Sequence, residues 1–315
     1  MDWKKIFDSV GLNGTWWQWR MIKWENRWNT WRGHIKSKQE HVTQHHKFCT
    51  YCQALLTQNE VQCPRCHKKA PSWNVQVVRR IFGLAIPGKL PVSTLILVPN
   101  FVMFLFILAM DGGRAFWSPS PETLVDWGAL VPPYFFMGDY WRLITYGYLH
   151  FGIMHIGFNM FALSQVGAVL EEEIGRSRFF SLYTLSLIGG GAADLWLRGH
   201  VPIPIVGASG ALFGLIGFGI GYWHFYGGSQ GETNRNFFLR WALYGFVFGA
   251  LIGADSIAHG GGLVTGAIIG FIVERERTLR GQVTQLWDVL AISCLVATFL
   301  SFVWMMVIRL TVLQG

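Results

Sequence analysis

From about residue 90 onward the chain repeats a single pattern, long apolar runs separated by short polar connections. The runs cover Val92–Met110, Ile153–Leu170, Phe179–Leu197, Val206–Tyr226, Phe237–Ala254, Ser256–Val273 and Trp287–Ile308. Each holds about 18 or more residues, enough to cross a bilayer as a helix, which satisfies its own backbone groups where water is absent. The pattern predicts an all-α polytopic membrane protein with seven spans. One connection differs in kind. Asp111 to Leu149 is long, aromatic and marked by Pro119, Pro121, Pro132 and Pro133, and it is too polar in part to span.

The first ninety or so residues break the pattern, being polar, basic and rich in Trp, and they predict a soluble head. They lack the short basic start and apolar core of a secretory signal, so the first span is expected to direct insertion. Composition agrees, with 51% hydrophobic and only 14% charged residues.

Charge orients the spans. Lys68, Lys69, Arg79, Arg80 and Lys89 precede the first run, while Arg176 and Arg178, then Arg235 and Arg240, then Arg275, Arg277 and Arg280 fall in alternate later connections. Basic residues gather on the cytoplasmic side. The N-terminus is therefore expected inside and, after seven spans, the C-terminus outside. The net charge of +8 reads as anchoring to the lipid bilayer, and no nucleic-acid partner is expected.

Glycine is concentrated in two of the runs, from Gly207 to Gly221 and from Gly260 to Gly270. Small residues let membrane helices approach closely. Gly262, Gly266 and Gly270 recur every four residues, on one face of a helix. That face is expected to pack against a neighbour, the helix carrying Ser209.

The head divides into a Trp-rich basic segment, residues 1–40, and a small module, residues 41–75. In the first, Trp17, Met21, Trp24, Trp28 and Trp31 fall close to one helical face with Arg20, Lys23 and Arg27 interleaved. Such a face suits either a bilayer interface or packing on the module. In the second, Cys49-Thr50-Tyr51-Cys52 and Cys63-Pro64-Arg65-Cys66 form two CxxC turns with ten intervening residues. Four thiolates at that spacing suit tetrahedral Zn2+, and the cytoplasmic side would keep them reduced, against the alternative of two disulfides. His45, His46 and His67 lie nearby as substitute ligands or as solvated neighbours. A site closed by Cys49, Cys52, Cys63 and Cys66 leaves no position for a catalytic water, so this zinc is expected to be structural.

Chemistry is therefore sought in the membrane. Ser209 sits in Gly207-Ala208-Ser209-Gly210, where a polar loop meets an apolar run, and His259 opens the later glycine-rich run. A serine and a histidine are the parts of a nucleophile and its base, in a setting where polar side chains are costly. His150, His155 and Asn159 add polar groups, with His155 and Asn159 a turn apart on one helical face. At a helix N-terminus, Ser209 would also meet oriented N–H groups that favour developing negative charge. Gly207 and Gly210 leave room there for a substrate backbone. The G-x-S-x-G elbow is excluded, because the residue two beyond Ser209 is Ala211.

Trp141-Arg142, the run from His150 to Asn159, Gly207 to Gly210, and Ala258-His259-Gly260-Gly261-Gly262 occur in the order and approximate spacing of rhomboid intramembrane serine proteases, which the chain resembles over about residues 90–275. The resemblance implies a six-helix core in that region, followed here by an additional seventh helix at residues 285–310. It implies that Ser209 is the nucleophile and His259 the general base, that His155, Asn159 and the Ser209 backbone N–H form the oxyanion hole, and that His150 supports that side of the site. It also implies transmembrane protein substrates with small residues at the cleavage position and a first external loop anchored by Trp141-Arg142. Because water must reach the peptide bond, a cavity open outward is expected, and a bacterial cytoplasmic membrane is the expected setting. The zinc-ribbon-like head is expected to meet a cytoplasmic partner.

Two departures stand out. The ring expected one turn after the serine, often Tyr in the family, is Phe213, and the connection Gly253-Ala254-Asp255-Ser256 is short, which predicts a small cap over the site. Asp255, four residues before His259, suits a helix cap better than the third member of a triad. A catalytically silent scaffold that binds transmembrane clients would be expected to lack Ser209 or His259. A transporter would carry ionisable groups in several spans beyond Asp194 and His224.

Overall fold

The computed structural model describes residues 15, 46–49, 54–57, 60–67, 91–199, 201–276 and 283–314. The chain divides into two compact units, Met1–Gln76 and Val77–Gly315. Trp17, Met21, Trp24, Trp28 and Trp31, with the basic residues between them, lie outside the described residues, as do His45 and Cys52.

In the first unit, β1 (His46–Phe48) and β2 (Leu55–Thr57) pair antiparallel with His46 opposite Thr57. A following turn brings the His67 N–H to the Cys63 carbonyl at 2.8 Å, and His67 itself adopts φ +56°.

The second unit is mostly helical. Its long helices are α1 (Val92–Met110), α5 (Ile153–Ile174), α6 (Arg176–Arg198), α7 (Ser209–Tyr226), α8 (Gly228–Ile252), α9 (Ser256–Glu276) and α10 (Val283–Gln314). Each of the seven apolar runs falls on one of them, but hydropathy and helix ends do not coincide. The helix at Phe237 begins nine residues earlier, at Gly228, through polar residues that water solvates as well as a helix does. Among the described residues, four helices are long and apolar enough to cross a membrane, over Val92–Met110, Ile153–Ile174, Ser256–Val273 and Leu286–Thr311. In α7 glycine lowers the apolar content, and between α7 and α9 it allows a close approach of the two helices.

That packing follows the predicted face. A Cβ added at Gly262 would collide with the Gly210 carbonyl, one at Gly266 with the Gly214 carbonyl, and one at Gly270 would meet the Phe218 carbonyl at 2.6 Å. The partner positions 210, 214 and 218 also advance by four, so two helical rows run along each other in register. A third helix joins at Gly261, where a Cβ would lie 2.8 Å from the Gly189 carbonyl of α6. The seam thus sets the separation of the helices that begin at Ser209 and near His259.

Between α1 and α5 the long connection folds into short pieces, α2 (Pro121–Asp126), α3 (Pro132–Phe136), α4 (Arg142–Thr145) and two 3-10 turns, Arg114–Phe116 and Tyr146–Tyr148. Arg142 ties them together, donating from Nη1 to the carbonyls of Val125 (2.6 Å) and Ala129 (3.0 Å) and from Nε to Asp139 (2.8 Å). Its guanidinium also lies 4.4 Å from the Trp141 ring. The expected anchoring by this dipeptide is therefore present as hydrogen bonds and a cation–π contact. At the far end of α5, buried Glu171 accepts from the backbone N–H groups of Val92 (2.6 Å) and Ser93 (2.9 Å), which caps α1 from a neighbouring helix.

Candidate active site

Ser209 is the first residue of α7, where the leading N–H groups have no carbonyl one turn back to bond. The extended segment before it is held by a two-way bridge, Leu130 N–H to the Ile205 carbonyl (3.0 Å) and Ile205 N–H to that of Leu130 (2.9 Å). The Gly207 N–H then donates to the Tyr146 carbonyl at 2.9 Å, and the Tyr146 hydroxyl donates to the Leu187 carbonyl at 2.6 Å. Tyr146 thus fastens the long connection between α1 and α5, α6 and the serine loop at one point.

Gly207 has φ +125°, a conformation that side chains disfavour, and its missing side chain leaves a space open. A Cβ there would lie 2.9 Å from His155 Nε2 and 3.6 Å from Ser209 Oγ. His155 Nε2 and Ser209 Oγ therefore border the volume that the glycine leaves open. Gly210, although its backbone edges the cavity, is required by the helix seam. A Cβ on it would meet the Tyr146 hydroxyl at 3.3 Å and the Ala258 carbonyl at 3.6 Å.

His155 is oriented by the backbone. The Phe151 N–H donates to its Nδ1 at 3.2 Å, so in the neutral ring the proton resides on Nε2, the nitrogen that faces Gly207. Asn159, one turn on, donates from Nδ2 to the His155 carbonyl at 2.8 Å, which leaves its second amide proton available. His150 is buried behind this pair with its ring 5.0 Å from that of His155, and neither of its nitrogens has a hydrogen-bond partner among the described residues. Burial, reinforced by the neighbouring His155, holds the His150 imidazole well below 6.5, so it packs as a neutral ring.

His259 lies in the first turn of α9, buried, and its Nε2 has no hydrogen-bond partner among the described residues. The Phe213 ring stacks on it at 4.2 Å between centroids and 18° from parallel, and Phe246 meets its edge at 6.2 Å. Gly249 of α8 passes close enough that a Cβ would lie 3.1 Å from His259 Cε1. Asp255 does not orient the imidazole. Its Oδ1 accepts from the N–H groups of Ile257 (2.8 Å) and Ala258 (3.0 Å), a helix cap as expected, and its Oδ2 is paired with Arg198. The preceding connection is as short as the sequence indicates, with α8 ending at Gly253 in a left-handed cap and α9 starting at Ser256.

Two cavities meet at these residues. A wide one of about 700 Å³ is lined by Ser209, His155, Gly207, Met154, Ile203 and Ser256 among others. A narrow one of about 30 Å³ is lined by Ser209, His155, Asn159, Phe213, Trp241 and His259. Ser209 and His155 border both, and His259 and Asn159 close the inner one.

The Rhomboid domain of known sequences matches residues 137–276, which contain all five of these residues. The chain is 34% identical over 189 residues to Rhomboid protease GluP of Bacillus subtilis (strain 168), covering 57% of this chain and 34% of that protein. With Rhomboid-like protease 1 of Toxoplasma gondii it shares 34% identity over 219 residues, 62% of this chain and 72% of the relative. With Rhomboid-like protease 2 of the same organism it shares 30% over 209 residues, 62% of this chain and 70% of the relative. The chain belongs to the rhomboid family. It is accordingly an integral membrane protein, although it spans only about a third of GluP and 40% of the Arabidopsis thaliana RHOMBOID-like protein 4, to which it is 34% identical over 174 residues.

Within this rhomboid four of the five membrane-side residues singled out from the sequence, Ser209, His259, His155 and Asn159, line the inner cavity, and His150 packs against His155 behind them. Others were not legible. Tyr146 carries no motif, and Arg198 shows only as the i+4 partner of Asp194. His224, the other ionisable group in a run, sits at the end of α7 with Arg235 Nη1 3.4 Å from its Nδ1.

In the first unit, the Sγ atoms of Cys49, Cys63 and Cys66 lie within 4.8 Å of one another, with Cys49 and Cys66 3.5 Å apart. Three soft sulfur donors at that spacing suit one thiophilic ion. Cys52 lies outside the described residues.

Proposed function

We propose that this rhomboid is an intramembrane serine protease that cleaves peptide bonds in or near the transmembrane helices of other membrane proteins. The observation that carries the reading is the meeting of Ser209, at the start of α7, and His259, with an unpartnered Nε2, on one cavity.

In this reading His259 Nε2 removes the proton from Ser209 Oγ as the oxygen attacks the scissile carbonyl, forming the C–O bond. The carbonyl oxygen gains charge in the space beside Gly207. There His155 Nε2–H, the free amide proton of Asn159 and the Ser209 backbone N–H act as donors, and the positive end of α7 adds to them. Collapse breaks the C–N bond, and His259 returns its proton to the leaving amine. Water entering through the wide cavity then attacks the acyl-serine, again deprotonated by His259, and releases the acid and Ser209. Phe213 holds the imidazole flat through both proton transfers. His150 packs behind His155 and keeps its ring from swinging away.

The same proposal takes residues 90–275 as a six-helix core and residues 285–310 as a seventh span, with the N-terminus in the cytoplasm of a bacterium and the C-terminus outside. In the head, residues 41–75, Cys49, Cys52, Cys63 and Cys66 would hold a structural Zn2+, which contributes folding energy to a module too small for a core of its own. A cytoplasmic partner of that head belongs to the same reading.

A serine-directed fluorophosphonate probe tests the nucleophile without knowledge of the substrate. Wild type in detergent should label at Ser209, and His259→Ala should label far more slowly. Equal labelling of wild type and Ser209→Ala would refute the assignment.

A further inference from the structure

Among the described residues no carboxylate meets the His259 ring, yet a base must be held in place to accept a proton on every turnover. The group that does so indirectly lies at the end of another helix. Asp194 is almost fully buried in α6, where an unpaired charge is costly. Arg198, one turn later, meets it from Nε at 2.7 Å and from Nη2 at 2.5 Å. The same Nη2 also pairs with Asp255 Oδ2. Asp255 in turn accepts the Ile257 and Ala258 N–H groups, and its own carbonyl accepts the His259 N–H at 3.2 Å. One guanidinium therefore ties the last turn of α6 to the first turn of α9.

The glycine seam sets how closely these helices lie but, being made of small residues, offers little to stop one sliding or rotating on the other. A planar guanidinium shared between two carboxylates fixes both direction and distance. We infer that Arg198 is a positioning residue for the reaction, acting through Asp255 on the backbone that carries His259. The carboxylate that would complete a triad on another fold works here one step removed, on the helix and not on the ring. This rests on the Ser209–His259 reading above.

The test uses the full chain in detergent, with a transmembrane peptide that wild type cleaves and Ser209→Ala as the blank. Asp255→Asn is the decisive variant, because Asn caps a helix about as well as Asp while the ion pair is lost and Asp194 keeps Arg198. It should lower kcat about tenfold with KM within about twofold, since substrate contacts are untouched. Arg198→Ala should lose at least as much, and Arg198→Lys should recover most of that loss. The double variant Arg198→Ala with Asp255→Asn should be no slower than Arg198→Ala alone. An Asp255→Asn enzyme with wild-type kcat, or one changed only in thermal stability or KM, would overturn the inference. Wild type that cleaves no better than Ser209→Ala would overturn the protease reading itself, and this inference with it.

Discussion

The ring of Phe213 lies flat on that of His259, 4.2 Å between centroids and 18° from parallel, one turn beyond Ser209 on the adjacent helix. The hydroxyl that the family often carries at this position is absent, so the contact is purely one of faces.

Stacking of this kind contributes about 0.5–1.5 kcal/mol beyond burial. Phe213→Ala should therefore lower kcat by roughly 3- to 10-fold through loss of ring orientation. Phe213→Tyr should stay close to wild type. Steady-state cleavage of a transmembrane peptide separates the outcomes, and an unimpaired Phe213→Ala would show that the stack does not hold the base.

His155 and Asn159 are assigned to the oxyanion. Removing one such donor typically lowers kcat by ~10² to 10³. His155→Ala and Asn159→Ala should each do so at saturating substrate while KM changes little. A rise in KM with kcat preserved would instead place these side chains in ground-state binding.

The seam between α7 and α9 sets a different expectation. Gly266→Val would drive its Cβ into the Gly214 carbonyl and add two methyl groups to the seam, and overpacking of this sort costs about 1–3 kcal/mol or more. Thermal unfolding in detergent should show a clearly lowered midpoint. Gly260→Ala, where a Cβ meets nothing within 4 Å, should leave the midpoint nearly unchanged.

For the head, purified protein should carry about one zinc ion per chain by elemental analysis. Cys63→Ser should lose most of it. Because the ion is assigned a structural role, dyad activity toward a short transmembrane peptide should survive in that variant. Metal-free wild type would contradict the zinc assignment.

Much of this was legible in the sequence because it is local or periodic. The four-residue repeat of Gly262, Gly266 and Gly270 names a helical face, and the structure puts carbonyls of α7 against it. Ser209 is marked by the change from polar loop to apolar run, and Phe213 follows from helical spacing. Asp255 reads as a cap because capping depends on neighbours in sequence. What escaped depends on distant pairing. The Leu130–Ile205 bridge joins segments with no strand pattern. Tyr146 matters through two contacts with distant backbone, Gly207 and Leu187, that no spacing announces. Arg198 shows one partner, Asp194, at i−4, while Asp255 lies 57 positions away. Helix ends were displaced for another reason: hydropathy reports where lipid would be, and α8 continues into polar residues beyond it.

The most direct test of the account incubates purified wild type, Ser209→Ala and His259→Ala with fluorogenic transmembrane peptides bearing small residues near the outer end. The account predicts cleavage by wild type that vanishes in both variants, each still folded by its thermal midpoint. Cleavage that persists in Ser209→Ala, or a folded wild type inert toward every peptide, would contradict it.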